Sequence, residues 1–245
     1  MSRYFIISIL FICLGYAGFS QEEETVQDSI PPVVNDTLPK NEKYGLRLGV
    51  DLHRPLTGFV NSDFFSLEIV GDYRISQKFF IAAEIGTVDR TKQDDQFNYT
   101  TTGSYIRAGF DYNAYENWLG MQNMIYAGMR VGYSTHEQTL NSYRIFNPDQ
   151  TFGEGDTVIT DGPLIGTYSG LSGVWVEAVF GIKAELFNNL FLGFSFRVKN
   201  LVSNTEAEEF SNLYIPGFNK VNDFSNFGGG FNYTISYLIP IYKKR

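Results

Sequence analysis

The sequence predicts an all-β fold: an antiparallel transmembrane β-barrel of eight strands with short periplasmic turns and long extracellular loops. Three observations predict it. Eight stretches alternate apolar and polar residues with period two, the polar series holds charges and glycines that no lipid-facing surface would carry, and the connections alternate short and long. In residues 44–53, Tyr44, Leu46, Leu48, Val50 and Leu52 face one way and Gly45, Arg47, Gly49, Asp51 and His53 the other. In residues 227–239, Phe231, Tyr233, Ile235, Tyr237 and Ile239 alternate with Gly230, Asn232, Thr234 and Ser236.

Residues 1–20 carry one positive charge, Arg3, then an apolar run from Tyr4 to Leu14 and small residues before Gln21. This is the pattern of a secretory signal peptide, and the run is too short for a spanning helix. Cys13, the single cysteine, lies inside that run, so the mature chain is expected to form no disulfide and to use no thiolate chemistry. Residues 21–43 are acidic and punctuated by Pro31, Pro32 and Pro39, which predicts a disordered acidic periplasmic segment ahead of a barrel spanning 44–245. With 19 Lys and Arg against 27 Asp and Glu, the chain carries a net charge of −8, which argues against nucleic acid as a partner.

The strands are expected near residues 44–53, 66–75, 79–88, 104–112, 124–134, 172–186, 190–199 and 227–239. Connections after the second, fourth and sixth are short. Those after the first, third, fifth and seventh, residues 54–65, 89–103, 135–171 and 200–226, are read as long loops. An even strand number puts both ends of the barrel on one side, expected to be the periplasm. By these boundaries the long loops hold thirteen acids against five bases (Arg54, Arg90, Lys92, Arg144 and Lys220), an acidic outer rim.

A soluble β protein also alternates with period two, because any sheet with one buried face does. Here the apolar series is too bulky for an eight-strand interior: Phe79, Phe110, Phe180, Phe194, Phe196 and Phe231 belong to it. Glycines crowd the polar series instead, and Tyr44, Tyr73, Tyr112, Tyr133 and Tyr237 sit near strand ends as in interfacial girdles. A basic side chain at the lipid midplane costs roughly 2–4 kcal/mol, which fixes the phase. Arg47, Arg74, Arg107, Arg130, Lys183, Arg197 and Lys199 are therefore expected to point inward. There they would meet Asp51, Glu68, Asp72, Glu84, Asp111, Glu177 and Glu185 in a lumen charge network, since buried charge persists only when paired.

Several stretches resemble the small outer-membrane β-barrel proteins of Bacteroidota, in a family known only as a domain of unknown function. They are YGLRLGVDL (44–52), EIVGDYRIS (68–76), GFDYNAYENWLG (109–120), GIKAELFNNLFLGFSFR (181–197), LYIPGFN (213–219) and FNYTISYLIPIY (231–242). The resemblance implies the fold and the cell outer membrane as location, and it brings no catalytic residues. It departs from wider outer-membrane barrels at the end, where Tyr242 is followed by Lys243, Lys244 and Arg245 in place of a terminal aromatic.

Candidate chemistry is sparse. His53, at the end of the first strand, and His136, at the start of the longest loop, would need a nucleophile such as Ser66 or Ser134 within reach, and both are read as rim residues. Glu84 and Glu177 are read as partners of arginines rather than as an acid and base. Asp149, Glu154, Asp156 and Asp161 offer oxygen ligands without the spacing of a calcium loop, and Gly228-Gly229-Gly230 lacks the lysine and helix of a phosphate loop. No catalytic, cofactor or metal site is assigned. The expected function is a structural or partner-binding outer-membrane barrel, with a narrow transporter for a small solute as the alternative and a lipid-modifying enzyme using His53 behind it. Expected partners are outer-membrane lipid and lipopolysaccharide, the barrel-assembly machinery, and a protein at the extracellular loops.

Overall fold

A computed structural model describes residues 42–60, 63–117, 121–145, 157–221 and 224–244. The expected signal peptide and most of the acidic segment lie outside these residues. Eight strands form the wall: β1 (Glu42–Asp51), β2 (Phe64–Arg74), β3 (Phe79–Gln93), β4 (Phe97–Asn113), β5 (Met124–Ile145), β7 (Gly166–Phe187), β8 (Leu190–Thr205) and β11 (Phe227–Lys244). Each pairs antiparallel with its neighbour in that order, and β1 pairs with β11, so the sheet closes into a ring. A short β6 (Thr157–Ile159) extends the sheet beside the end of β5. A helix, α1 (His53–Val60), follows β1, and a small hairpin of β9 (Tyr214–Ile215) and β10 (Asn219–Lys220) lies between β8 and β11.

The alternation sets which way each side chain points. Along β8, Phe191, Gly193, Ser195, Arg197 and Lys199 are buried, while Leu192, Phe194, Phe196 and Val198 are exposed. Because the last strand pairs with the first, the ring of antiparallel strands closes on itself along its middle.

The strands run further than the sequence reading placed them. Residues 89–103, expected as a long loop, instead continue the β3–β4 ladder from Asp89↔Thr102 to Gln93↔Asn98, leaving residues 94–96 as the turn. Thr91 and Thr100 share a hydroxyl hydrogen bond of 2.8 Å across it, and Asp94 N donates to Phe97 O at 2.8 Å. The apolar series stops here but the ladder does not, because backbone pairing needs no apolar face and β-branched threonine favours it. β5 and β7 lengthen in the same way, so His136 is a buried residue inside β5 and begins no loop. Likewise β1 starts at Glu42, two residues before the expected barrel boundary, and ends at Asp51 rather than at His53.

The first long connection holds α1. Asp51 Oδ1 accepts the His53 backbone N–H at 2.9 Å where the chain leaves the strand, and Pro55 sits in the first turn, where its missing donor costs nothing. At the other end of the barrel, Asn189 carries φ 66° in the β7–β8 turn, a left-handed conformation that asparagine tolerates.

Part of the last long connection folds back into the barrel. Tyr214, Ile215, Pro216, Gly217 and Phe218 are buried, packed into the barrel mouth against Val88, Tyr99, Tyr105, Leu140, Trp175 and Leu201. The wall residues of this cluster belong to the inward series, so the interior is aromatic at its mouth and charged below. Gly217 (φ 83°) lies so close that an added Cβ would stand 2.7 Å from the Tyr105 ring and 2.9 Å from Trp175.

Candidate functional site

Five cations and five carboxylates meet in the middle of the barrel. Arg197 on β8 donates from Nη1 to Glu84 Oε2 at 2.8 Å and from Nη2 to Glu84 Oε1 at 2.9 Å, the two-pronged geometry that a planar guanidinium allows. Arg107 on β4 reaches Glu68 (2.6 Å), Glu84 (2.8 Å) and Glu177 (3.4 Å). Arg130 on β5 donates from Nη2 to both carboxylate oxygens of Asp111, at 2.8 and 2.9 Å. Arg54 on α1 lies 3.1 Å from Glu68 and 3.6 Å from Asp51. Lys199 donates to the Gly217 carbonyl of the hairpin at 2.6 Å and lies 3.9 Å from Glu177.

Neutral donors take the remaining lone pairs. Tyr105 donates its hydroxyl to Glu68, Trp175 Nε1 donates to Glu177 at 2.6 Å, and Asn232 donates to Asp51 at 2.6 Å and to Glu68 at 3.0 Å. Buried charge on this scale is tolerated only when each group is both paired and hydrogen-bonded.

A second group lies toward the short turns. Arg47 donates from Nε to Asp72 at 2.8 Å, Lys183 donates to the other oxygen of Asp72 at 2.5 Å, and the Arg47 guanidinium stands over the Phe191 ring at 4.8 Å. Arg74 donates to the carbonyls of Ser76 and Gln77 at 3.1 and 3.0 Å and stacks on Tyr44 at 4.9 Å. Glu185 accepts the backbone N–H of Gln122 (3.1 Å) and of Asn189 (2.9 Å), tying two short turns together. The fourteen residues read from the sequence as lumen charges thus divide into a central network and a group at the short-turn end.

The candidate catalytic groups are not brought together. His53 packs at a tilt of 47° against Phe231 with ring centroids 4.6 Å apart, and His136 Nε2 lies 3.3 Å from Asn212 Oδ1. Ser66 Oγ donates to Thr87 O at 2.9 Å and accepts from Arg54 at 3.2 Å. No hydrogen bond joins either histidine to Ser66 or to Ser134. Among the described residues there is no group of three or more His, Cys, Asp and Glu poised to hold a metal ion; Asp149, Glu154 and Asp156 lie outside them.

Sequence reasoning missed Arg54, which joins the central network from α1, and counted as rim charges both Arg90, which is half-buried against the Tyr214 ring, and Lys220, which is exposed. It also missed the hairpin that stoppers the mouth. The available signal was the run Tyr214-Ile215-Pro216-Gly217-Phe218, five residues without a charge in a connection otherwise rich in polar groups.

Residues 1–244 match the family described as a domain of unknown function, DUF6048. The chain belongs to that family. No curated protein matches this DUF6048 chain. Among solved structures it is similar to the crystal structure of Neisserial surface protein A, at 11% identity over 80% of this chain and 94% of that one, with a TM-score of 0.39. It is similar also to Ail, the attachment invasion locus protein of Yersinia pestis, at 8% identity over 81% and 98% of the two chains, with a TM-score of 0.38. The closed ring of the DUF6048 chain is read from its own strand pairings.

Proposed function

We propose that this protein is a β-barrel of the cell outer membrane, of the small kind its sequence resembles in Bacteroidota, with a structural or partner-binding role through its outer loops. The observation that carries the reading is the outer wall. Ile81, Ile85, Ile106, Met129, Val131, Phe180 and Phe196 are each half or more exposed, while the charges of the same strands are buried inside. An apolar belt of this extent around a closed ring fits a hydrocarbon surround. Residues 1–20 then serve as the signal peptide and 21–41, ahead of β1, as the acidic periplasmic segment, with the short-turn end in the periplasm.

The partners that follow are outer-membrane lipid and lipopolysaccharide around the belt, and the barrel-assembly machinery, for which Tyr233, Ile235 and Tyr237 supply the alternating signal of the last strand. A protein partner would meet the outer loops. The central network and the hairpin above it leave little room for a solute, which favours this role over a narrow transporter; no residue is assigned to enzymatic chemistry.

The test is fractionation with and without boiling. The protein is expected with outer membranes, migrating differently on a denaturing gel before and after heating, and retaining the same partner after mild-detergent extraction and crosslinking from outside the cell. Recovery as a soluble periplasmic species would overturn the reading.

A further inference from the structure

The barrel wall is interrupted at its mouth. β1 ends at Asp51, opposite Thr234, and its pairing with β2 ends at Val50↔Ile69. β11 nevertheless continues along β8 as far as Phe227, and β2 continues along β3 as far as Phe64. A break one strand wide therefore lies between residues 64–68 and residues 227–232. α1 occupies it: Leu52 N donates to Tyr233 O at 2.6 Å, the His53 ring packs against Phe231, and a Cβ on Gly58 would stand 2.7 Å from the Phe64 carbonyl oxygen.

Behind α1 is a cavity of about 370 Å³. Its charged lining is all basic: Arg54 from α1, Arg90 from β3, Lys199 from β8 and Lys220 from β10, with His53 beside them and no carboxylate. Arg54 and Lys199 are held from below by the central network. Arg90 rests on the Tyr214 ring at 4.9 Å, and among the described residues neither it nor Lys220 has a carboxylate at ion-pair distance. The rest of the lining includes the rings of Phe64, Tyr214 and Phe231, and on the outside Leu56, Phe65 and Phe227 beside the break are 60%, 63% and 67% exposed.

Four cations converging on a half-enclosed space, two of them with no carboxylate of the described residues in ion-pair contact and only the nearby Asp94 acting on them from outside the lining, suit an oxyanion, and a guanidinium fork suits a phosphate or carboxylate. Apolar surface leading out through the wall suits a hydrocarbon chain. We propose that this cavity binds the phosphate or carboxylate head of an amphipathic molecule entering through the break, with its chain lying against Leu56, Phe65 and Phe227. The lipid source rests on the outer-membrane reading; the oxyanion site does not.

The test titrates the full mature chain, folded in maltoside micelles, with decyl phosphate and, separately, with inorganic phosphate, by calorimetry. Decyl phosphate is expected to bind saturably and inorganic phosphate about tenfold or more weakly by comparison. The R90Q/K220Q double variant should lose about tenfold in decyl phosphate affinity while keeping its heat-modified gel shift. Should the pair of substitutions impair folding, K220Q alone, at an exposed position, carries the same expectation in direction. Equal binding of both probes, lost together in the variant, would overturn the amphipathic half and assign the site to a free anion. No saturable binding, or binding indifferent to either variant, would overturn the site. A chain that fractionates as soluble yet binds decyl phosphate through Arg90 and Lys220 would sink the membrane reading and leave the site standing.

Discussion

Arg197 and Glu84 meet through two parallel hydrogen bonds although 113 residues separate them in the chain, so the pair fastens β8 to β3 across the barrel interior. Removing one partner leaves the other's charge buried, at a cost of about 3–5 kcal/mol. Arg197→Leu is expected to lower stability by that amount in urea refolding titrations. Combined with Glu84→Gln, its cost should be less than additive, because the two changes remove one shared interaction. A silent Arg197→Leu would show that the interior is wetter than this geometry.

The outer wall responds to the opposite change. Leu192 is exposed on β8 between the inward Phe191 and Gly193. Leu192→Arg is expected to cost roughly 2–4 kcal/mol in lipid bilayers if it lies near the midplane, and much less in the interfacial zone. Lys220→Ala, exposed at the open end of the hairpin opposite Tyr214, should leave stability within about 0.5 kcal/mol. Equal tolerance of both changes in bilayers would count against a hydrocarbon surround.

Gly217 tests the stopper. Its φ of 83° and its closeness to Tyr105 and Trp175 mean that Gly217→Val must push the hairpin outward. With Trp118 replaced by phenylalanine, Trp175 reports alone, and its ring now packs against Phe218 at 6.2 Å. The expected result is a red-shifted, more quenchable emission with the ring of strands intact by circular dichroism. Unchanged emission would mean that the mouth accommodates the side chain.

Excising residues 212–220 should not open a pore. Arg107, Arg197, Glu68, Glu84 and Glu177 still bridge the interior below the hairpin. Planar-bilayer recordings are expected to show no steady conductance in either form. A conducting excised barrel would revive the transporter reading.

The wall and its phase were legible because period-two alternation continues wherever a strand separates apolar from polar surroundings. Strand ends were not, because Thr91, Thr100, Thr101 and Thr102 pair beyond the apolar series, where alternation no longer records direction. α1 is eight residues long, too short to be stable by itself, and its place is set by the break it fills. Arg54, Arg90 and Lys220 read as rim charges since only the folded hairpin and helix bring them to one cavity. The central pairs, by contrast, could be anticipated as a set though not partner by partner: Glu84 engages Arg107, Arg130 and Arg197, a division that sequence spacing does not encode.

That division bears on the order of assembly. Asp72 on β2 and Glu84 on β3 come from the first third of the wall, and their partners Lys183 on β7 and Arg197 on β8 from the last, so each of these carboxylates, laid down early, finds one of its cations only when late strands arrive. An unfinished sheet holding β2 and β3 would keep these carboxylates hydrated, and drying the interior before closure would strand them. Closure of the ring and expulsion of interior water therefore belong to one cooperative step, governed by contacts of long sequence separation and correspondingly slow.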